Sequence, residues 1–279
     1  MARFLLVVFF LLSSNGFAAS VMTLNTEFLW DHEEPHEGRI VGRSEEKPVP
    51  SEAEYRLEIY YFASLISKAG ADIVGLTEIE HCGIAKDIAA EMIHHDPKNK
   101  WFSVCKKGRD TFTGQDVAIL TRFQPDPSIV DNHDTSYFEL NGRRSRPSKV
   151  LTTVIKDSAK GESYLVTVAH LISRTRDNDE KRKLQAEAIT STVLSLRQRH
   201  PTDQIVIMGD FNDYPQSAPL KEFMKAGVLD HTAGDVCSYT YRNRCQLIDH
   251  VLTTIPGGRL ESVNLGDDYS DHDAIVYRW

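Results

Sequence analysis

The segment from Ile205 to Pro215, IVIMGDFNDYP, carries four apolar residues into a glycine and then presents Asp210, Asn212 and Asp213 within four positions. A continuous apolar run of this length reads as a strand covered on both faces, in the middle of a sheet. Its polar end then belongs at the rim of the core, because a carboxylate is costly to bury without a partner.

Working outward, the same grammar recurs. Val21 to Trp30 (VMTLNTEFLW) begins with alternation and reads as a strand, and Asp31 to Pro50, rich in Glu, Pro and Gly, as a surface loop. Ser51 and Glu54 form a capping-box pattern that opens an amphipathic helix, stopped at Gly70. ADIVGLTEIE follows as a strand, then a helix over Ile84 to Ile93, then strands at Trp101 to Cys105 and Gln115 to Thr121. In the second half, KVLTTVIK and SYLVTVAHL are neighbouring strands joined by a turn at Ser158 to Gly161. Asn178 caps a long helix with an apolar stripe of Leu184, Ala188, Ile189 and Leu194, ended by Pro201. After IVIM come a helix near Ala218 to Ala226 and the strands QLIDHVLTT and DAIVYRW. Such interleaving, with several strands directly joined, predicts a mixed α/β sheet architecture, not a simple βαβ repeat.

The strands share a second property: many carry a polar group at one end. Asn25 lies in the first, Glu78 near the end of IVGLTE, His170 at the end of YLVTVAH, Asp210 and Asn212 after IVIMG, Asp249 inside QLIDHVL, and Asp271 with His272 just before DAIVYRW. Taken singly, each is more often a solvated carboxylate, a satisfied histidine or a turn. Their joint placement points to one shared polar site, since loops beyond strand ends bring groups from different strands together. The inventory suits phosphate-ester hydrolysis: carboxylates for a hard cation, imidazoles to move protons or steady phosphate oxygens, and amides to orient the rest.

In order and approximate spacing, TLNTEFLW, IVGLTEIE, GQDVAILTR, VTVAHL, IVIMGDFND, QLIDHVL and YSDHDAIV resemble the endonuclease/exonuclease/phosphatase superfamily, which includes deoxyribonuclease-like enzymes, from about Leu24 to Val276. The resemblance implies two mixed β-sheets packed face to face and flanked by helices, with the site at one edge. Glu78 would be the main Mg²⁺ ligand, assisted by Asn25 and Asp271, with Mn²⁺ or Ca²⁺ as alternative ions. Asp210 would orient or deprotonate the attacking water, and Asn212 would hold the phosphate or the catalytic histidine. His272 would lie close to the scissile phosphate, His170 would be the second imidazole, and Asp249 would fix one histidine's tautomer. A carboxylate partner would favour the imidazolium. One position departs from many members, which carry Asn where this chain has Val168. His250, beside Asp249, stays outside the catalytic set.

The chain has 279 residues, 41% hydrophobic and 26% charged, with no linker-like stretch, so one domain is expected. Arg3, the apolar run Phe4 to Leu12 and the small, polar SSNGFAAS have the layout of a secretory signal peptide and are too short to span a bilayer. Residues 1–19 are therefore expected as the signal peptide and 20–279 as the mature domain, secreted or periplasmic, with no stable membrane anchor and as a monomer. Export would place the four cysteines in an oxidising compartment, and the local pairings Cys82 with Cys105 and Cys237 with Cys245 are favoured.

A formal net charge of −8 argues against purely electrostatic binding of nucleic acid, though not against an enzyme that meets a phosphodiester through a cation and local arginines. Three loops are basic: Lys106 to Asp110, Gly142 to Lys149 and Ser173 to Arg176. Arg144, Arg146 and Arg174 are the candidate substrate contacts, Arg144 and Arg146 by resemblance to a DNA-phosphate-binding segment. The expectation is a metal-dependent phosphodiester hydrolase, a nuclease acting on DNA with little sequence preference. The alternatives are a sphingomyelinase or phosphoinositide phosphatase on the same fold, and a catalytically idle binding or effector protein.

Overall fold

A computed structural model describes residues 19–33, 36, 49–174, 178–231, 236–266 and 269–279. Residues 1–18 of the expected leader, most of the loop before Pro50, and Arg176 of the third basic loop lie outside these residues. In the first half, β1 (Ser20–Leu29), α1 (Glu52–Ala69), β2 (Ile73–Ile79), α2 (Cys82–His95), β3 (Phe102–Cys105), β4 (Asp116–Thr121) and β5 (Gln124–Asp131) follow one another. A hairpin, β6 (Phe138–Leu140) and β7 (Arg143–Ser145), leads to β8 (Val150–Asp157), β9 (Glu162–Ala169), α3 (Asp179–Arg199), β10 (Gln204–Asp210) and α4 (Ala218–Met224). The chain ends with β11 (Leu229–Asp230), the hairpin β12 (Tyr239–Tyr241) and β13 (Arg244–Gln246), β14 (Asp249–Thr253), β15 (Arg259–Val263) and β16 (Ala274–Arg278).

Twelve of these strands form two sheets of the same design. One sheet runs β15-β16-β1-β2-β4-β3 and the other β11-β14-β10-β9-β8-β5. Each has a parallel pair at its middle, β1 with β2 and β9 with β10, joined through α1 or α3, and each pair is flanked by antiparallel strands. Parallel neighbours need such a crossover, which is why the helices interleave.

Alternation along IVIM explains its unbroken apolarity. Ile205 and Ile207 pack beneath α3 and α4 with Ile189, Val193 and Phe223, while Val206 and Met208 face the other sheet beside Val21, Val166 and Ile275. In β1 and β2, Met22, Leu24, Val74 and Leu76 meet the side chains of α1 and α2. The result is four layers, helices outside and two sheets within. Gly75 permits the sheets to approach: a Cβ there would lie 2.7 Å from Val168 Cγ2. Val168 thus faces the core between the sheets.

Several boundaries differ from expectation for local reasons. The capping box forms, with Ser51 and Glu54 satisfying each other's backbone groups and Gly70 left-handed at φ 61°. The second helix begins earlier, at Cys82, because the His81 side chain accepts the Gly83 N–H and supplies the cap. On α3 Ala188 and Ile189 are buried as expected, with Gln185, Ala186, Thr190, Val193 and Leu196, whereas Leu194 is exposed. Arg182 is buried on that face, its Nε donating to Asp213 Oδ2 at 3.1 Å. QLIDHVLTT divides: Gln246 closes the β12–β13 hairpin and β14 starts only at Asp249. Both expected cysteine pairs are within disulfide distance, with Cα–Cα separations of 5.4 Å for Cys82 and Cys105 and 5.5 Å for Cys237 and Cys245.

Candidate active site

Topology delivers the polar groups to one rim. The parallel strands β1, β2, β9 and β10 present their C-terminal halves or ends there, bearing Asn25, Glu78, His170 and Asp210. The antiparallel neighbours β14 and β16 present their beginnings, bearing Asp249, Asp271 and His272.

Local backbone then aims the side chains. Glu78 has φ 66° at a register shift between Thr77 and Ile79, a bulge that leaves it outside the ladder and turns its carboxylate to the rim. Gly209 has φ 140°, and a Cβ there would meet Ala169 O at 1.9 Å. Only glycine allows β10 to pass this close to β9, which brings Asp210 beside His170. Asn212 adopts φ 51°, as asparagine tolerates, and its backbone N–H donates to Asp210 Oδ1 at 2.8 Å.

The carboxylates are held by donors from several strands. Glu78 Oε2 accepts Gln115 Nε2 at 2.9 Å and the Phe28 N–H at 3.2 Å. Asn25 Nδ2 donates to Glu78 Oε1 at 3.3 Å and to Asp210 Oδ2 at 3.1 Å, and its Oδ1 accepts the Glu27 N–H. His170 Nε2 stands 3.5 Å from Asp210 Oδ2 and 3.7 Å from Glu78 Oε1. His272 Nδ1 donates to Asp249 Oδ2 at 2.7 Å, and Ser270 Oγ accepts the His272 N–H while donating to Asn25 O.

Charge separates the two imidazoles. Burial opposes a charge on His272, but Asp249, its hydrogen bond, Asp210 and Asp271 overcome this and raise its pKa to about 10. At His170 burial prevails, reinforced by the positive charges of Lys149 and His272, and the pKa lies well below the ordinary histidine value. The carboxylate-paired imidazolium expected from the sequence is therefore His272, while His170 is the neutral ring. Asp210 is pushed up to about 8, by burial first and then by Asp249 and Glu78, against His272.

The donor set fits a divalent cation. Ligand atoms of Glu78, His170 and Asp210 lie within 4.8 Å of one another, as do those of Asp210, Asp249 and His272. Among the described residues Asp249 Oδ1 is buried without a hydrogen bond, and Asp210, Glu78 and Asp249 bring three carboxylates to one rim, where a cation would offset their charge. Oxygen donors of this kind suit hard ions.

Other expected residues lie further out. The Asp271 side chain is half exposed, with Oδ1 3.7 Å from His272 Nε2, and no hydrogen bond or ion pair joins it to Glu78 among the described residues. Asn212 Nδ2 donates to Leu171 O, tying it to the His170 loop and not to an imidazole. Arg144 and Arg146 lie over the Tyr137 ring at 3.5 and 5.4 Å, and Arg174 over Tyr214 at 4.0 Å. None of the three is bonded to the carboxylate–imidazole cluster among the described residues. His250 is structural, with Nε2 donating to Asp213 O and its ring stacked on Phe211.

Two site residues escaped the sequence reading. Gln115 and Lys149 immediately precede β4 and β8, the antiparallel neighbours of the central pairs, and so reach the same rim. Lys149 Nζ donates to Gln115 Oε1 at 3.3 Å, and its carbonyl accepts the His170 N–H. The signal was present: a polar residue at the beginning of an antiparallel strand is equivalent to one at the end of a parallel strand.

An α/β sandwich that gathers carboxylates, imidazoles and amides at one rim is built as a hydrolytic enzyme. The chain belongs to the Endonuclease/Exonuclease/phosphatase family, whose model it matches over residues 56–272. That family comprises phosphate-ester hydrolases, nucleases and phosphatases alike, which typically work with a divalent metal. Protein angel of Drosophila melanogaster is 30% identical over 114 residues, a match spanning 36% of this chain and 31% of that relative. Among solved structures, an endonuclease/exonuclease/phosphatase family protein from Leptotrichia buccalis superposes with TM-score 0.59 at 14% identity, covering 93% of this chain and 98% of that one. The human Nocturnin catalytic domain gives 0.59 at 13%, covering 93% of each chain, and beta toxin from Staphylococcus aureus 0.57 at 16%, covering 93% and 99%. At such identities the structures share the fold.

Proposed function

We propose that this protein is a secreted or periplasmic, Mg²⁺-dependent nuclease that hydrolyses DNA phosphodiesters with little sequence preference. The observation that carries the reading is the convergence of Asn25, Glu78, His170, Asp210, Asp249 and His272 on one rim, with a neutral and a charged imidazole on either side of buried carboxylates. Glu78 would hold the ion, assisted by Asp271 and Asn25. Bound there, Mg²⁺ would supply charge neutralisation for the phosphate.

The remaining steps belong to the side chains. Asp210, fixed by the Asn212 N–H, accepts a proton from the attacking water and aligns it. His272, kept protonated by Asp249, donates to a phosphate oxygen or to the leaving oxygen. Neutral His170 offers a ring N–H to the phosphate, and Asn212 keeps the His170 loop in place through Leu171. Arg144, Arg146 and Arg174 would meet the flanking backbone phosphates.

Residues 1–19 are proposed as the signal peptide and 20–279 as a monomeric mature domain. Two cysteine pairs within disulfide distance support export. No helix among the described residues is long and apolar enough to cross a membrane. A panel of plasmid DNA, RNA, sphingomyelin vesicles and inositol phosphates, with Mg²⁺ or with EDTA, tests the reading. Plasmid cleavage that needs Mg²⁺ and is lost in His170→Ala is expected. Release of phosphocholine or phosphate without DNA cleavage would replace it.

A further inference from the structure

One wall of the site is aromatic, and neither the metal cluster nor the basic loops account for it. The β12–β13 hairpin stands directly against the catalytic rim: Tyr239 pairs in a β-bridge with His272, and their rings lie 4.9 Å apart. Two residues on, Tyr241 shares the same face, its ring 6.4 Å from that of Tyr239 and nearly parallel at 9°. The hairpin turns through Arg242 and Asn243, both left-handed, which folds the Arg242 guanidinium back over Tyr241 at 5.1 Å.

The wall continues on the other side of Gln246. This residue faces Tyr239 across the hairpin, and its Oε1 accepts the hydroxyl of Tyr214 at 2.8 Å. Tyr214 in turn carries Arg174 on its ring at 4.0 Å. A line therefore runs from Arg174 through Tyr214 and Tyr239 to Tyr241 and Arg242, with His272 at its middle. Tyr214 is 40% and Tyr241 49% exposed, so both side chains, with the arginines on their rings, are within reach of a ligand in solvent. Ser238 anchors the line, its Oγ accepting the N–H groups of Ile248 and Asp249, and the Cys237–Cys245 pair brackets the hairpin.

Resting on the nuclease reading, we propose that this ledge is a stacking subsite for unpaired nucleobases, so that the enzyme takes a single-stranded or locally opened strand in preference to an intact duplex. Aromatic faces flanked by arginines receive bases of any sequence, because every base has a π-face, and the arginines meet the adjoining phosphates. In a duplex those base faces are already stacked on each other. The chain's net charge of −8 removes long-range attraction as the source of affinity, and short-range stacking next to His272 supplies it instead.

The test uses the full mature protein in EDTA, so that binding is read without cleavage. Anisotropy is measured with a labelled 20-nucleotide single strand, the same backbone made abasic, and the corresponding duplex. The single strand should bind about tenfold or more tightly than either control. Tyr241→Ala and Tyr214→Ala should each weaken only the single strand, by about fivefold or more, and Tyr241→Phe should restore it. Equal binding of the abasic strand, or loss that is the same for all three ligands, overturns the ledge. Cleavage by the unaltered protein with Mg²⁺ is assayed in parallel. Failure to cut any nucleic acid overturns the nuclease reading, whereas cutting without a single-strand preference overturns the subsite alone.

Discussion

Asp249 Oδ2 accepts the Nδ1–H of His272 at 2.7 Å, and this one bond joins the two sheets, Asp249 opening β14 in one and His272 preceding β16 in the other. The pair makes the geometry of the proposed site depend on sheet packing. Because Asp249 raises the pKa of His272, Asp249→Asn keeps the shape but releases the proton earlier. In the unaltered protein the imidazolium persists until pH approaches about 10. In the variant the alkaline limb of kcat/KM should move down toward the ordinary histidine range, with kcat near neutrality lowered about 10²- to 10⁴-fold. A pH–rate profile checks both.

Mg²⁺ should stabilise the fold as well as support turnover. Glu78, Asp210 and Asp249 crowd negative charge at the rim, and a ligand bound only by the folded state adds about 2.7 kcal/mol at a hundredfold excess over its Kd. Thermal melts should therefore rise by several degrees with saturating Mg²⁺. The rise should be reversed by EDTA and largely absent in Glu78→Gln, which also loses activity.

His133 gives a pH effect separate from catalysis. It is fully buried, with Nε2 against Thr152 Oγ1 at 2.8 Å, and burial pushes its pKa down to about 4, against a smaller upward pull from Asp131. Between roughly pH 6.5 and pH 4 the unfolded chain binds a proton here that the folded chain refuses. Stability should therefore fall as pH drops through that window, by an amount on the order of 3 kcal/mol from this group. His133→Asn, a residue that tolerates the φ of 58° at this position, should flatten that part of the slope. Urea titrations at pH 7 and pH 4.5 on both proteins measure the difference.

How far the sequence carries can be seen at particular positions. IVIM was legible because a strand buried on both faces must be apolar throughout, and the rim residues were legible because polar groups interrupt such strands at one end. β5 was not: Pro125 and Pro127 argue against a strand, yet an edge position with few ladder bonds accommodates them. The stripe on α3 was legible at Ala188 and Ile189 but not at its ends, because buried Arg182, satisfied by Asp213, occupies the core-facing side where an apolar residue is expected. That contact also answers for the second aspartate of GDFND, which anchors α3, whereas Asp210 faces the proposed site. Tyr239 and Tyr241 were hidden because their role depends on a hairpin folding over His272, a relation that no local pattern encodes.

The approach of β10 to β9 makes the last prediction the most structural. At Gly209 an added Cβ would lie 1.9 Å from Ala169 O, which is backbone and cannot rotate away, and φ 140° is itself unfavourable for any side chain. Gly209→Ala must then spread the two strands where Asp210 and His170 face each other across 3.5 Å. A stability loss of at least about 2 kcal/mol is expected by urea titration. The molecules that remain folded should lose activity disproportionately, since even a small widening separates the carboxylate from the imidazole. Gly227→Ala is the control: that glycine, also at positive φ but with nothing within 4 Å of its Cβ position, should show a smaller loss of stability and unchanged kcat. Equal effects at both positions would mean that φ alone, and not the close approach of the strands, explains the glycine before Asp210.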